Sequence, residues 1–420
     1  MSRFVFAVFT VLVYAFGAKA EEADVDARFA AMQARIEQLE QKLAAQGAEL
    51  AAAKQAAPVA LPDVAADEPS FFDTISVSGH VAASYFYNFN DVPGSINSGA
   101  NAPVDLLHPD NNSISLDQLW LTVARDVSPE QRAGFKADFV YGKVASILSS
   151  DNNDGAAGND FDLYQGYISY LAPIGEGVTI QAGKFATLLG AEVAQANGNW
   201  NITRGNVYNY LQPINHTGLL ASTPVGPITA SLGIVDETRA FPALNADRNN
   251  NKAILFGVSG GAGAFSGSFA GTYGDSPASG DNGDNEVILD FIARFTPNDK
   301  FGSYVNFDWI STDLGGNTLD GYGVAAAGRL ALGESTGVAG RFEYLSLEDD
   351  FSSDIEIWGI TGTVDQEIAD GLTLRAEIRY DKATDADFIT GSGDDIYAGD
   401  DGFFDDDDQV TAGVELVYAL

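Results

Sequence analysis

The chain has 420 residues, no cysteine and a formal charge of −37 at neutral pH. Without cysteine there is no disulfide framework and no zinc–thiolate site, and the acidity excludes nucleic acid, because phosphate binding needs clustered Lys and Arg. Aromatic residues make up 11 % of the chain and glycine is abundant. A chain of this length exceeds an ordinary single domain, so it is either several domains or one large barrel.

Residues 1–20 read as a secretory signal: Arg3 is the positive end, Phe4 to Phe16 the apolar stretch, and Ala18-Lys19-Ala20 the cleavage site. That stretch is shorter than the roughly 20 residues a membrane-spanning helix needs. Residues 21–55 carry Val25, Phe29, Met32, Ile36, Leu39, Leu43, Leu50 and Ala53 at alternating steps of four and three, with Gln46 in the seam. The spacing predicts a short α-helical coiled coil in the periplasm, or else a lone amphipathic helix. Residues 56–72 contain Pro58, Pro62 and Pro69 among small residues and read as an extended linker.

From residue 73 the period changes to two. Val287, Leu289, Phe291, Ala293 and Phe295 oppose Ile288, Asp290, Ile292 and Arg294. In 372–381 an apolar row of Leu372, Leu374, Ala376, Ile378 and Tyr380 opposes Arg375, Glu377, Arg379 and Asp381. A membrane barrel places the apolar row outward and the charges in a wet lumen. About sixteen such strands fit residues 73–420, an all-β fold. Tight joins are expected at 128–130, 174–176, 224–226, 260–262, 297–299, 332–334 and 368–370. Longer polar joins are expected at 91–112, 149–160, 188–213, 236–250, 274–285 and 384–407, with short ones near Gly315 and Asp349 on the same side. Short periplasmic turns alternating with long external loops are the register of an outer-membrane β-barrel, and sixteen strands leave an aqueous bore.

The third long join holds Glu192, Asn197, Asn201 and Arg204. Either it folds inward to form a constriction, or it is a surface loop whose amides cap turns. Gly183-Lys184-Phe185, Gly190-Ala191-Glu192, Asn197, Asn201, Arg204, Pro213 and His216-Thr217-Gly218, in that order, resemble the β-barrel porin-2 (OmpL-like) family of bacterial outer-membrane proteins. The resemblance implies a porin and carries no catalytic residue. The closing alternation Val410, Ala412, Val414, Leu416, Tyr418, Leu420 likewise resembles the last strand of outer-membrane barrels, which usually ends in Phe where this chain has Leu420.

Charges on the inner face of a narrow bore bias which ions enter. Strand parity nominates Lys136, Asp138, Arg341, Glu343, Glu356, Arg375, Glu377, Arg379 and Asp381 on the wall, beside Glu192 and Arg204 on the loop. Otherwise these charges merely solvate the wall and pair across strands. The acidic run 384–409 reads as a solvated face rather than an ordered calcium loop. His80, His108 and His216 show no metal-ligand spacing, and no catalytic residue, cofactor or metal is expected. The resulting expectation is a trimeric outer-membrane porin, cation-preferring from its acidity, passing small hydrophilic solutes and ions. The alternative is an envelope tether reaching peptidoglycan or a surface layer.

Overall fold

Alternation at period two leaves each strand one apolar face, and the chain satisfies both edges of the resulting sheet by closing it. The computed structural model describes residues 38, 41–42, 71–89, 107–108, 112–148, 160–239, 251–275, 285–314, 317–349, 354–384 and 408–420. The chain divides into two units, Met1–Pro69 and Ser70–Leu420. In the first, Gln38, Gln41 and Lys42 are helical. The signal segment 1–20, the rest of the coiled coil, linker residues 56–70 and residues 385–407 of the acidic run lie outside the described residues.

The second unit is a closed antiparallel barrel of sixteen strands, each paired with its neighbours in sequence. They are β1 (Ser76–Asn88), β2 (Ser113–Arg125), β3 (Ala133–Tyr141), β4 (Phe161–Ala172), β5 (Val178–Ala186), β6 (Asn215–Val225), β7 (Ile228–Val235) and β8 (Ala253–Ala262). Then follow β9 (Phe265–Asp275), β10 (Asn285–Asn298), β11 (Phe301–Leu314), β12 (Asn317–Ala331), β13 (Thr336–Asp349), β14 (Ile355–Ala369), β15 (Leu372–Ala383) and β16 (Asp408–Ala419). β16 closes the ring on β1, in a register running from His80 opposite Ala419 to Asn88 opposite Thr411. Strand number and the alternation of long and tight joins match the sequence reading. The join expected at 260–262 falls instead just after Ala262, where Gly263 adopts a positive φ of 61°.

The outer face is apolar, with Ile168, Leu219, Leu232, Phe291, Ile360, Ile378, Val414 and Leu416 all exposed. Exposed aromatics mark both rims: Tyr87, Tyr141, Phe161 and Tyr273 at the long joins, Tyr170, Phe265, Phe301 and Tyr418 at the tight turns. An apolar belt between two aromatic girdles is the surface a bilayer solvates. No helix among the described residues is long and apolar enough to cross a membrane, which says nothing of a barrel that crosses with strands.

Among the described residues two short α-helices lie in the joins: α1 (Lys143–Leu148) after β3, and α2 (Asn206–Leu211) before β6. Both are largely buried, so these joins turn into the barrel. One wall assignment needs correction. Glu356 does not face the bore: it is exposed, while its neighbours Ile355 and Ile357 are buried and pack in the cluster that holds Val207 and Leu211 of α2. Apolar side chains take the inward positions at this end of β14 because a helix, not water, lies against them.

Candidate functional site: a loop braced across the bore

The join between β5 and β6, residues 187–214, enters the barrel and touches nearly opposite walls. Its base is pinned by the Thr187 N–H donating to the Ile214 carbonyl at 3.3 Å and by Thr187 Oγ1 lying 3.0 Å from His216 Nε2. From there the Ala191 N–H donates to Asn306 Oδ1 of β11 at 2.8 Å. The chain then swings to β2, where Gln118 accepts from the Ala196 N–H at 2.9 Å and donates to the Ala194 carbonyl at 2.7 Å. Because β2 and β11 stand almost half a barrel apart in the strand order, the loop crosses the bore. Its wall partners lie in the middle of their strands, which sets the crossing at mid-wall.

The return leg is held by charges. Both oxygens of Glu377 on β15 accept from the loop: the Ile202 N–H at 2.6 Å, the Thr203 N–H at 3.0 Å and Thr203 Oγ1 at 2.6 Å. Thr363 of β14 bridges Glu377 and Asn201, with its Oγ1 donating to the carboxylate at 2.7 Å and accepting from Asn201 Nδ2 at 2.7 Å. Arg341 on β13 donates to Glu192 Oε1 at 2.5 Å and to the Thr203 carbonyl at 2.7 Å, and its Nε lies 3.0 Å from Glu343 Oε2. Glu192 in turn accepts from the Gly205 N–H at 2.7 Å. Arg379 pairs with Asp381 at 2.7 Å and donates to the Arg204 carbonyl at 2.6 Å and to Asn206 Oδ1 at 2.9 Å. Arg375 donates to the Ala196 carbonyl at 2.9 Å.

Arg204 is fully buried and turns back on its own loop, donating to the carbonyls of Val193, Ala194 and Ile202 at 2.9, 2.7 and 2.5 Å. Asn199, not singled out by sequence, closes the same turn by bonding the Val193 N–H and the Val193 and Gln195 carbonyls. Asn197 is exposed at the tip of the short turn Ala196–Gly198.

The structure therefore brings Glu192, Asn201, Arg204, Arg341, Glu343, Arg375, Glu377, Arg379 and Asp381 together as a brace. It leaves Lys136 and Asp138 apart, paired with each other at 3.5 Å on β3, where the lysine is one-third exposed to the bore. Charges so deeply buried are costly alone, and ion pairing together with the hydrogen bonds to the loop is what makes them tolerable. Sequence parity located these charges on the inner face but could not show that a loop would consume them.

The second half of the brace was not anticipated. Val207 and Leu211 of α2 pack in one cluster with Leu255, Ile288, Ile310, Leu345, Leu347 and Ile357, all inward from β8 to β14. Gly323 makes room for the helix, since a Cβ there would sit 2.8 Å from Leu211 Cδ1 and 2.9 Å from Val207 Cγ2. Trp200 stacks on Tyr304 at 5.5 Å and completes the patch. The signal was present as aliphatic residues on inward positions, which a purely wet lumen would not select.

Several solved structures share this architecture. The anion-selective porin from Comamonas acidovorans aligns at 14 % identity and TM-score 0.56, over 82 % of this chain and 99 % of its own. The outer membrane channel DcaP of Acinetobacter baumannii aligns at 10 % and 0.55, over 82 % and 97 %. The trimer form of OmpT, an outer membrane protein of Vibrio cholerae, aligns at 11 % and 0.55, over 83 % and 99 %. At these identities the likeness establishes the fold. No curated protein matches the chain in sequence. Residues 74–420, the whole barrel with its crossing loop, match the beta-barrel porin-2, OmpL-like family, and the chain belongs to that family.

Proposed function

We propose that this chain forms a water-filled channel in the outer membrane for passive diffusion of small hydrophilic solutes and ions, narrowed at mid-wall by the crossing loop 187–214. The carrying observation is the loop itself, braced by buried ion pairs inside a closed sixteen-strand barrel. Sixteen strands make a ring wide enough to leave an aqueous channel. Two inward charges away from the brace are partly exposed: Lys136 at 32 %, and Arg329 likewise, whose guanidinium meets Asp365 at 2.6 Å. Family membership and the likeness to outer-membrane porins support the same reading.

Two finer features belong to the proposal. The channel prefers cations, because acids outnumber bases on the inner face, with Asp290 and Asp308 paired directly across β10 and β11 and Asn306 donating to both. The functional unit is a homotrimer: β7 has only 8 residues against 15 in β12 and β14, too few to cross the apolar belt unaided, and neighbouring copies cover that low wall. The envelope-tether alternative concerns residues 21–70, which lie outside the described residues apart from three.

Planar-bilayer recording of the purified, folded protein tests the channel. Large steady steps in groups of three are expected, and silence from a barrel shown to be folded overturns the proposal. Under a salt gradient the reversal potential should favour cations; anion preference removes that part alone.

A further inference from the structure

His108, Asp117 and Glu415 come from the first long join, β2 and β16, and each offers one ligand atom within 4.8 Å of the other two. The fold builds this meeting deliberately. β1 lies between the two strands, with Ser84 opposite Ser115 on one side and Glu415 on the other. A register shift between Ala82 and Ala83 lets Asp117 and Gln118, adjacent in sequence, both turn inward. The His108 ring lies 5.0 Å from that of Phe86, which itself sits in space left by Gly413. This places an imidazole over two carboxylates.

Both carboxylates are nearly sealed, each side chain belonging to a residue 1 % exposed. Each has one oxygen engaged: Ser115 Oγ donates to Asp117 Oδ1, and Arg375 Nη1 donates to Glu415 Oε2 at 3.3 Å. The other oxygens, Asp117 Oδ2 and Glu415 Oε1, are buried without a hydrogen-bond partner. Two sealed anions with an unmatched oxygen each call for a cation. Arg375 comes from β15, on the opposite edge of β16 from β1, and divides its Nη1 between Glu415 Oε2 and the Ala196 carbonyl of the crossing loop.

We propose that His108, Asp117 and Glu415 bind a divalent transition-metal ion of the zinc class on the channel wall. One imidazole nitrogen with two carboxylate oxygens is a ligand set that zinc accepts, whereas calcium and magnesium take oxygen ligands in larger number. Three protein ligands leave a fourth position for a water molecule. The ligands are separated by 9 and 298 residues, which is why no spacing in the sequence announces them.

The test uses the full folded chain in detergent, stripped with chelator and titrated calorimetrically with ZnCl2 in millimolar CaCl2, which saturates the acidic joins. One saturable zinc site per chain is expected. His108→Ala should weaken it at least tenfold without altering the heat-modifiable gel migration of the barrel, because His108 lies in a join. Glu415→Gln should weaken it likewise. Cobalt(II) should give visible d–d absorption that His108→Ala abolishes. A missing zinc site overturns the proposal, as does zinc binding unchanged by His108→Ala, which would assign the ion to the acidic joins. Equal displacement of zinc by calcium also overturns it, marking a hard-cation site.

Discussion

One loop is held against two arcs of the barrel by different physics. Against β13 to β15 it is held by Arg341, Glu377 and Arg379, whose hydrogen bonds to the loop divide between its backbone and its side chains and leave little freedom of direction. Against β8 to β12 it is held chiefly by the packing of Val207, Leu211 and Trp200, to which Asn306 and Asp308 of β11 add hydrogen bonds from the Ala191 N–H and Gln212 Nε2. Charge-assisted bonds specify where the loop crosses, and apolar packing supplies adhesion without direction.

Breaking the charged arc should cost most. Arg341→Ala strands Glu192 and Glu343 beside one another and deprives the Thr203 carbonyl of its donor. Removing one partner from such a buried group costs roughly 3–5 kcal/mol. Limited proteolysis should then cut within 187–214, the thermal midpoint should fall, and single-channel current should become noisier. A loop as resistant to protease as in the wild type would show that the charges are dispensable.

The apolar arc should yield less. Leu211→Ala removes a fully buried side chain from the cluster, at about 2–3 kcal/mol, the low end for core leucines. Here the midpoint should drop while the current stays quiet, since the backbone anchors persist. Noise equal to that of Arg341→Ala would erase the distinction between the two arcs.

Outside both arcs, Lys136→Ala should change stability by less than about 1 kcal/mol, because its pair with Asp138 is partly hydrated. Its effect should appear in selectivity, with the reversal potential moving toward cations as a bore-facing positive charge is lost. An unmoved potential would place Lys136 outside the ion path.

The fold was legible because period-two alternation and join length are local properties. Thr373 to Asp381 announced which face was charged, and parity carried that face correctly to the lumen. What escaped is the interior of the interior. Ile288, Leu345, Leu347, Ile355 and Ile357 point inward because α2 lies against them, and nothing local to those strands reports a helix arriving from residues 206–211. The same packing explains Glu356, which yields the inward position to its isoleucine neighbours. Asn201 and Arg204 were legible as residues that matter, yet Arg204 serves its own loop's carbonyls rather than projecting into the bore.

The separation of partners in the brace also fixes a sequence of events. Ile202 and Thr203 bond Glu377, and the Arg204 carbonyl meets Arg379, across about 175 positions of chain. Contacts so distant cannot form until β15 is in place, and the Ala196 carbonyl waits on Arg375, which is itself steadied by Glu415 of the closing strand. The loop's last anchors therefore wait on the final two strands, so the narrowing proposed above would belong to the finished ring and not to its intermediates.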